Sequence, residues 1–379
     1  MLTPCVVIHA TQISHQKEKN KPFYSVKLIF QEHWKNYLKA HQVRVIEQIE
    51  VEKMLSCKDG SRGGFWYYCK NCDEYQFVPF GCNSRLCSCC GKRYTDQWAS
   101  MLSERLEKNI FHRHLVFGIP DMLWNYFHED RKLFKILMDT AYKTIKETFS
   151  KVNHREVIPG VIEVYHPFGR DIKHQPHVHM IVSEGGYDNE GKFISSGNYI
   201  PYNALHKNWE YNILKALRKS LPQGVVEEAY RKYPDGFCVY VRKDRISSRK
   251  GLAKYIGRYV RHPAIANARI IAYNGEAVKF YWKDHEDKIH FKIMLVHDFI
   301  SAIIQHVPEK NQKLVRYYGA YSRRKKKSLK SSITKLISMN SSEGRVCYCP
   351  KCCERMEFVF YSREDVPPDK NLLSSWLEV

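Results

Sequence analysis

The segment PHVHMIV, residues 176 to 182, places His177 and His179 two positions apart in an otherwise apolar run. Positions i and i+2 of a β-strand project from the same face, so both imidazoles stand side by side while the intervening apolar side chains point the other way. Imidazole is a common metal ligand, but histidines whose hydrogen bonds are satisfied in a core or on a surface give the same pattern. The pair alone therefore indicates a candidate metal site.

A third histidine strengthens the metal interpretation. His166 ends the preceding predicted strand, and the connection PFGRDIKHQP contains the Gly, Asp and Pro residues of a hairpin loop. If the two strands pair antiparallel, His166 lies nearly opposite His177 on a shared face. Three imidazoles then converge on one ion and leave coordination positions open for a substrate. His174 is the alternative third ligand, but it lies within the connection, where its geometry is less fixed.

The segment KGLAKYIGRYVRHP carries two tyrosines, Tyr255 and Tyr259, which on a helix share one face because they are four residues apart. Basic residues surround them, and the candidates for DNA contact are Arg242, Lys243, Arg249, Lys250, Lys254, Arg258 and Arg261. Aromatic residues interleaved with basic ones suit a nucleic-acid backbone and stacked bases. The alternative is that the tyrosines only pack the helix against a sheet.

Histidines, tyrosines and basic residues together indicate phosphodiester chemistry. A tyrosine oxygen that attacks phosphorus breaks the ester without water and conserves the bond as a protein–DNA ester. A phenol with a pKa of about 10 is a poor nucleophile when neutral, so a divalent ion is needed to offset the charge of the transition state. We predict that Tyr259 and Tyr255 are the nucleophiles. Tyr259 is the expected principal one, because it lies near the end of its helix, just before Pro263, where DNA has freer access.

Cysteine pairs predict structural zinc. The thirteen cysteines are an odd number, most of them cluster in two short windows (57–90 and 347–353), and the N-terminus has no signal-peptide pattern, so metal is favoured over disulfides. Cys69-x2-Cys72 and Cys87-x2-Cys90 are separated by fourteen residues, a loop length that tetrahedral zinc sites use. We therefore predict one structural Zn²⁺ held by these four thiolates, since the stretch is too short to bury a core of its own.

The role of the other cysteines stays open. Cys82 and Cys89 exceed the four ligands that a zinc ion requires, so either one can replace a ligand or pack as a small apolar residue. Near the C-terminus, CYCPKCC offers one CxxC pair, Cys349 and Cys352, without a second separated pair. The sequence does not decide whether this pair binds zinc.

These residues require a scaffold that mixes strands and helices. Strand patterns cover residues 112–120, 160–166, 176–182 and 237–243, and helical patterns cover 24–55, 121–152, 201–221, 225–233 and 250–260. Asn274-Gly275 marks the turn of a hairpin within residues 268–284. Interspersed strands and helices with at least one hairpin predict an α+β fold with an antiparallel or mixed sheet.

Composition indicates the class of partner. Lys and Arg number 61 against 40 Asp and Glu, which gives a net charge of +21 over 379 residues and favours a polyanion over a small molecule. No apolar run reaches the roughly 18 to 20 residues that span a bilayer, so we expect a soluble cytoplasmic protein with no membrane partner. In a prokaryote, we expect it to associate with the nucleoid.

The same motifs resemble those of the HUH endonuclease superfamily, in its two-tyrosine branch. More closely, residues 30 to 325 resemble the rolling-circle transposases of the insertion-sequence ninety-one family. The matching strings are YCKNC with CNSRLCSCC for the zinc-binding domain, HPFGRDIKHQPHVHMIVSEGG for the metal strands, and KYIGRYVRHPAIANARI for the tyrosine helix. The segments VKFYWKD and FISAIIQHVPEKNQKLVRYYGAYSRR are similar to the closing part of that family.

The resemblance implies a division of the chain and a fold. A helical arm with a small zinc-binding module would cover residues 24–106, and an HUH domain with a central antiparallel sheet flanked by helices would cover 107–325. Residues 326–379 would form a basic tail with the C-terminal CxxC cluster.

The resemblance also implies an activity. Such a transposase nicks single-stranded DNA at hairpin-containing element ends, leaves a 5′-phosphotyrosine and a free 3′-hydroxyl, and joins the strand to target DNA. The implied ion at His166, His177 and His179 is Mg²⁺ or Mn²⁺, although imidazole ligands by themselves suit softer ions. The oligomeric state stays open, with a monomer as the working expectation.

Two alternatives use the same residues. A rolling-circle replication initiator or a relaxase would need the same histidines and tyrosines, and only the zinc module and the closing segments favour transposition. A non-catalytic zinc DNA-binding protein derived from a transposase is the other, and the intact set of histidines and tyrosines argues against it.

Overall fold

The computed structural model describes residues 24–106, 110–195, 202–242, 248–260, 263–284, 286–322 and 347–362. The helices are α1 (Val26–Ala40), α2 (Val45–Leu55), α3 (Ser88–Arg105), α4 (Trp124–Glu129), α5 (Leu133–Val152), α6 (Tyr202–Leu217), α7 (Val225–Lys232), α8 (Arg249–Val260) and α9 (Val296–Ile304). The first strands are β1 (Gly64–Cys69), β2 (Glu74–Pro79), β3 (His112–Gly118), β4 (Ile158–Phe168), β5 (His174–Tyr187), β6 (Phe193–Ser195) and β7 (Val239–Val241). The later strands are β8 (Ile270–Tyr273), β9 (Ala277–Lys283), β10 (Ile289–Leu295), β11 (Val315–Gly319), β12 (Cys347–Tyr348) and β13 (Arg355–Ser362).

A six-stranded sheet forms the centre of the fold, in the order β11-β4-β5-β3-β7, with β6 paired to β5. All of its pairs are antiparallel. The predicted α+β class with a central antiparallel sheet is therefore confirmed.

The two faces of this sheet bury different helices. One face carries Val178, Met180 and Val182 of β5, which join a core supplied largely by α5 and α6. The opposite face carries Ile162 and Ile181, which join a second core supplied by α3 and α8. Because side chains alternate along a strand, the predicted histidines share the second face and lie under α8.

A second, three-stranded sheet has the order β10-β9-β8. Its predicted hairpin at Asn274-Gly275 is confirmed, with Gly275 at a φ of 91°, a left-handed conformation that glycine adopts without strain. The sheet packs with α1, α2 and α9 around a core that includes Phe30, Phe280 and Phe299. The predicted helical arm is thus built into the body of the protein.

The third sheet has the order β12-β13-β1-β2 and joins segments that are far apart in sequence. β13 pairs antiparallel with β1, from Gly64 opposite Ser362 to Tyr68 opposite Glu357. Residues 347–362, which the sequence assigned to a separate tail, therefore complete the sheet of the N-terminal module. Long-range pairing of this kind leaves no local signal in the sequence. Residues 326–346 and 363–379 of the predicted tail lie outside the described residues.

Within the described part of the chain, the structure has no helix that is both long enough and apolar enough to cross a membrane.

Candidate functional site

Three histidine nitrogens converge on the face of the central sheet that α8 covers. The register of β4 and β5 places His166 opposite His177, as the sequence predicted. His166 Nδ1 lies 3.2 Å from His177 Nε2, and His177 Nε2 lies 3.0 Å from His179 Nε2. Nitrogens bound about 2.1 Å from one ion at right angles are about 3.0 Å apart, so the spacing fits a shared metal ion.

We call the three histidines, His166, His177 and His179, the histidine site, and outer contacts of His177 and His179 determine which of their nitrogens faces its centre. His177 Nδ1 lies 2.7 Å from the carbonyl oxygen of Gln175, so it donates its proton there and leaves Nε2 free to bind an ion. His179 Nδ1 lies 3.0 Å from His114 Nε2. Burial lowers the pKa of His177 to about 4 and that of His179 well below its usual value, which keeps both rings neutral and able to coordinate.

His114 is the residue of this site that the sequence reasoning missed. It lies on β3, opposite Ile181, and its ring stacks on that of His179 with centroids 5.2 Å apart. Burial lowers its pKa to about 4. The sequence did contain a signal for this residue. The segment HRH at residues 112 to 114 places two histidines two positions apart, a spacing that puts both on one face of a strand. The other member, His112, contacts the Tyr321 hydroxyl at 2.6 Å instead.

His174, the alternative third ligand, lies apart from the three convergent nitrogens. Its ring stacks on His306 with centroids 6.3 Å apart and meets His128 edge-on at 5.2 Å. The group of nearby ligand atoms consists of His166, His177 and His179.

The two tyrosines project from α8 onto the histidine site. The Tyr259 ring stacks on the His179 ring with centroids 3.7 Å apart, and it meets the His166 ring edge-on at 5.6 Å. Tyr255 lies on the other side, with its hydroxyl 3.5 Å from His114 Nδ1. The tyrosine rings are 5.8 Å apart and both are half-buried, so the helix presents two phenols to one site, with Tyr259 beside the ligand nitrogens.

Close packing against α3 holds α8 in this position. Gly257 allows the approach, because a Cβ there would lie 3.1 Å from Thr95 Cγ2 of α3. On the sheet side, Leu252 and Ile256 of α8 are fully buried against the second face. These aliphatic residues anchor the helix, and Tyr259 is half-buried against the same core.

The predicted DNA-binding residues are only partly described. The Arg242 guanidinium lies over the Tyr255 ring, 5.3 Å from its centroid, and Lys250 is exposed on α8. Arg249, Lys254 and Arg258 lie on α8, but their side chains are outside the described part of the structure. Lys243 and Arg261 lie outside the described residues altogether.

The four cysteines predicted to share one zinc ion do not come together. Cys69 and Cys72 flank the turn that follows β1, whereas Cys87 and Cys90 lie at the N-terminal end of α3. Between them, the six residues of β2 carry the chain roughly 20 Å away at about 3.3 Å per residue. The predicted grouping is therefore corrected, because the two pairs lie at opposite ends of a hairpin and have different partners.

Cysteine cluster 1 consists of Cys57, Cys82, Cys87 and Cys90, all of which are buried. Its sulfur atoms lie 3.5 Å apart for Cys57 and Cys87, 3.6 Å for Cys57 and Cys90, and 3.7 Å for Cys82 and Cys90. Thiolates in a tetrahedron around zinc, at Zn–S distances of about 2.3 Å, are about 3.8 Å apart. The sulfur spacing fits one tetrahedral ion.

Cluster 1 adjoins the histidine site. Cys87 is the N-cap residue of α3, the helix that packs on α8. Arg85 and Leu86, which lie between Cys82 and Cys87 in sequence, line a cavity of about 30 Å³ together with His166 and Tyr259. A metal ion in this cluster would therefore fix both the start of α3 and one wall of the site.

Cysteine cluster 2 consists of Cys69, Cys72, Cys349 and Cys352. It joins the N-terminal CxxC pair to the C-terminal pair that the sequence left open. Cys89 is exposed and belongs to neither cluster.

Comparison with known proteins gives matches along most of the chain. A family model described as "Putative transposase" matches residues 160–328, and one described as "Transposase zinc-binding domain" matches residues 29–119. The transposase for insertion sequence element IS801 of Pseudomonas savastanoi pv. phaseolicola is 29% identical, and the match covers 77% of this chain and 74% of that protein. A protein of Sinorhizobium fredii described as "Putative transposase y4qJ" is 25% identical over 83% of each chain. No solved structure matches the chain.

Proposed function

Because the chain belongs to the insertion-sequence ninety-one family of transposases, which carry a zinc-binding domain, we propose that it nicks and rejoins single-stranded DNA at element ends. The covalent intermediate is a 5′-phosphotyrosine, and the histidine site holds a divalent ion, Mg²⁺ or Mn²⁺. The partners are hairpin-containing element ends and target DNA.

One observation carries this proposal. His166 Nδ1 and His179 Nε2 lie 3.2 and 3.0 Å from His177 Nε2, and the Tyr259 ring stacks on the His179 ring at 3.7 Å. A metal site built only for stability has no need of a phenol stacked on one of its ligands.

The histidines and the tyrosine have distinct tasks. When bound, a divalent ion supplies positive charge to the non-bridging oxygens and to the leaving oxygen of the scissile phosphate. His177 and His179 present lone pairs toward that position because their outer nitrogens are engaged by Gln175 and His114. These outer contacts orient the ligands before DNA arrives.

Tyr259 is the proposed nucleophile of the first step. Its oxygen forms a bond to phosphorus while the bond between phosphorus and the 3′ oxygen breaks. The phenolic proton passes to solvent, and the released 3′ oxygen takes a proton to become a hydroxyl. In rejoining, a 3′-hydroxyl attacks the phosphotyrosine and Tyr259 leaves as a phenol. Tyr255 accepts the second strand, so that both ends can be held during transfer.

Basic residues supply most of the affinity for the strand. The net charge of +21 and the Arg242 guanidinium beside Tyr255 suit a phosphate backbone that enters next to the tyrosines. Arg249, Lys250, Lys254 and Arg258 on α8, with Lys243 and Arg261 at its flanks, extend this basic region in the sequence.

The direct test is incubation of the protein with labelled single-stranded element ends and Mn²⁺. A covalent protein–DNA adduct that survives denaturation is the expected result. Free cleaved strands without an adduct would indicate hydrolysis and would contradict the proposal.

Replacing His114 by Ala is expected to raise the Mn²⁺ concentration that gives half-maximal adduct formation by roughly 10- to 100-fold, because the ring of His179 loses its outer partner. The comparison variant is His112→Ala, on the same strand, whose imidazole contacts Tyr321 and not a ligand. It should leave the Mn²⁺ requirement unchanged. An equal requirement in the His114 variant and the parent would remove His114 from the site.

Cluster 1 is proposed to hold the structural Zn²⁺ of the matched zinc-binding domain. Replacing Cys87 by Ser should therefore lower the zinc content by about one ion per chain and lower the midpoint of thermal unfolding, since a closed zinc site contributes directly to folding. Native mass spectrometry and calorimetry measure both. The exposed Cys89→Ser variant is the control and should keep its zinc. A Cys87 variant with the full zinc content would refute this assignment.

A further inference from the structure

Cysteine cluster 2 brings together two CxxC pairs that are separated by 276 residues, between Cys72 and Cys349. The matched family models end at residues 119 and 328, so Cys349 and Cys352 lie outside both. β12 and β13, which flank these two cysteines, pair with each other and then with β1 of the N-terminal hairpin. The cluster therefore lies where the C-terminal hairpin meets the N-terminal hairpin.

We propose that Cys69, Cys72, Cys349 and Cys352 bind a second structural Zn²⁺, which clamps the C-terminal hairpin β12–β13 onto the N-terminal hairpin β1–β2. This site is separate from cluster 1 and is independent of the proposed nuclease chemistry.

The positions of the sulfur atoms fit a tetrahedral zinc ion. Cys69 Sγ lies 3.5 Å from Cys352 Sγ, and all four sulfur atoms lie within 4.8 Å of one another. A disulfide would require about 2.05 Å, whereas the edge of a zinc–thiolate tetrahedron is about 3.8 Å. Cys69 and Cys349 are almost completely buried, and Cys72 and Cys352 are half-buried, so one edge of the site faces solvent.

The backbone around cluster 2 is arranged as it is around cluster 1. In cluster 2, Asp73 directly follows Cys72 at a φ of 51°, and Cys353 directly follows Cys352 at a φ of 60°. In cluster 1, Lys58 and Asn83 hold the corresponding places, at φ values of 60° and 51°. A left-handed conformation is unfavourable for a residue with a side chain. Its occurrence directly after four of the cysteine ligands therefore needs a physical reason.

Hydrogen bonding to sulfur gives that reason. At two of these four ligands, one in each cluster, the left-handed residue turns the next backbone N–H back toward the thiolate. The Ser84 N–H donates to Cys82 Sγ at 3.3 Å in cluster 1, and the Glu354 N–H donates to Cys352 Sγ in cluster 2. These donors stabilise negative sulfur, which a metal-bound thiolate carries and a thiol does not.

Apart from its strand pairing, the module around cluster 2 has few stabilising contacts among the described residues. Its buried core consists of Tyr67, Cys69, Cys349 and Met356. Two ion pairs connect the hairpins, Lys351 with Glu74 and Lys70 with Glu357, but all four side chains are largely exposed and such pairs contribute little. A four-stranded unit with so small a core needs an additional cross-link, such as a bound metal ion. The four converging cysteines can supply this cross-link.

The test counts zinc by native mass spectrometry in the full chain carrying His179→Ala, so that the histidine site does not add to the count. About two ions per chain are expected. The double variant Cys349→Ser/Cys352→Ser should retain about one, and the matched double variant Cys347→Ser/Cys353→Ser, with substitutions in the same segment, should retain two. One ion in the His179→Ala parent, or two in the Cys349/Cys352 variant, would overturn the proposal.

A second measurement needs no cysteine substitution. Cys352 and Cys353 are neighbours and both are half-buried, so iodoacetamide should reach both when metal is absent, and the Glu354 N–H that favours the Cys352 thiolate should make Cys352 the faster of the two. With zinc bound and under reducing conditions, Cys352 is expected instead to be at least about tenfold slower than Cys353, and a chelator should remove this protection. Similar reactivity of the two before chelation would contradict a metal at this site. The adduct assay reports the nuclease proposal separately.

Discussion

Tyr259→Phe is expected to abolish the covalent adduct on single-stranded element ends. The substitution removes only the phenolic oxygen and keeps the ring that stacks on His179. Loss of the nucleophile should cost on the order of 10⁴-fold or more in the rate of cleavage. Denaturing electrophoresis with labelled DNA and Mn²⁺ measures this loss, and near-ultraviolet circular dichroism checks that α8 keeps its packing.

Tyr255→Phe is the matched control on the same helix. It should still form the adduct but fail in strand transfer, because the second phenol is absent when the other strand must be held. The double variant should bind DNA without cutting it. If Tyr255→Phe loses the adduct and Tyr259→Phe keeps it, the order proposed for the two phenols is reversed.

His179→Ala is expected to abolish nicking at every Mn²⁺ or Mg²⁺ concentration. His179 Nε2 is one of three convergent nitrogens, and its removal opens the site on the side that Tyr259 covers. The loss of metal assistance should lower the rate by about 10³-fold or more. DNA binding measured by fluorescence anisotropy should change little, because Lys and Arg contacts to phosphate supply most of the affinity. His177→Ala should behave in the same way.

Two further histidine variants test whether the loss of nicking is specific to the proposed ligands. His166→Ala should be less severe, since two ligands and water can partly hold an ion. His174→Ala should retain nicking, because that ring packs with His306 and His128 away from the ligands. Full activity in His179→Ala, or a greater loss in His174→Ala than in His166→Ala, would contradict the metal assignment.

The histidine and tyrosine positions were predictable because their signals are local. A period of two places His177 and His179 on one face of β5, and the short hairpin loop brings His166 opposite His177. A spacing of four on a helix places Tyr255 and Tyr259 on a shared face. Each rule follows from backbone geometry and needs no knowledge of distant contacts.

The cysteine sites were not predictable in the same way. Each CxxC pair supplies two ligands to a metal ion, but the sequence spacing between pairs does not predict which two pairs share one ion. β2 separates Cys72 from Cys87, and the partner of the first pair comes from Cys349 and Cys352, at the other end of the chain. His114 was missed for a related reason, since β3 reaches His179 only through the pairing of β3 with β5.

Peptide mapping of the trapped adduct tests the central claim most directly. The protein is incubated with a labelled single-stranded element end and Mn²⁺, digested with trypsin and nuclease, and analysed by mass spectrometry. The account predicts a nucleotide ester on the Tyr259 hydroxyl and no adduct in the absence of divalent metal. A nucleotide on any other residue, or an adduct that forms equally well in the His179→Ala variant, would contradict it.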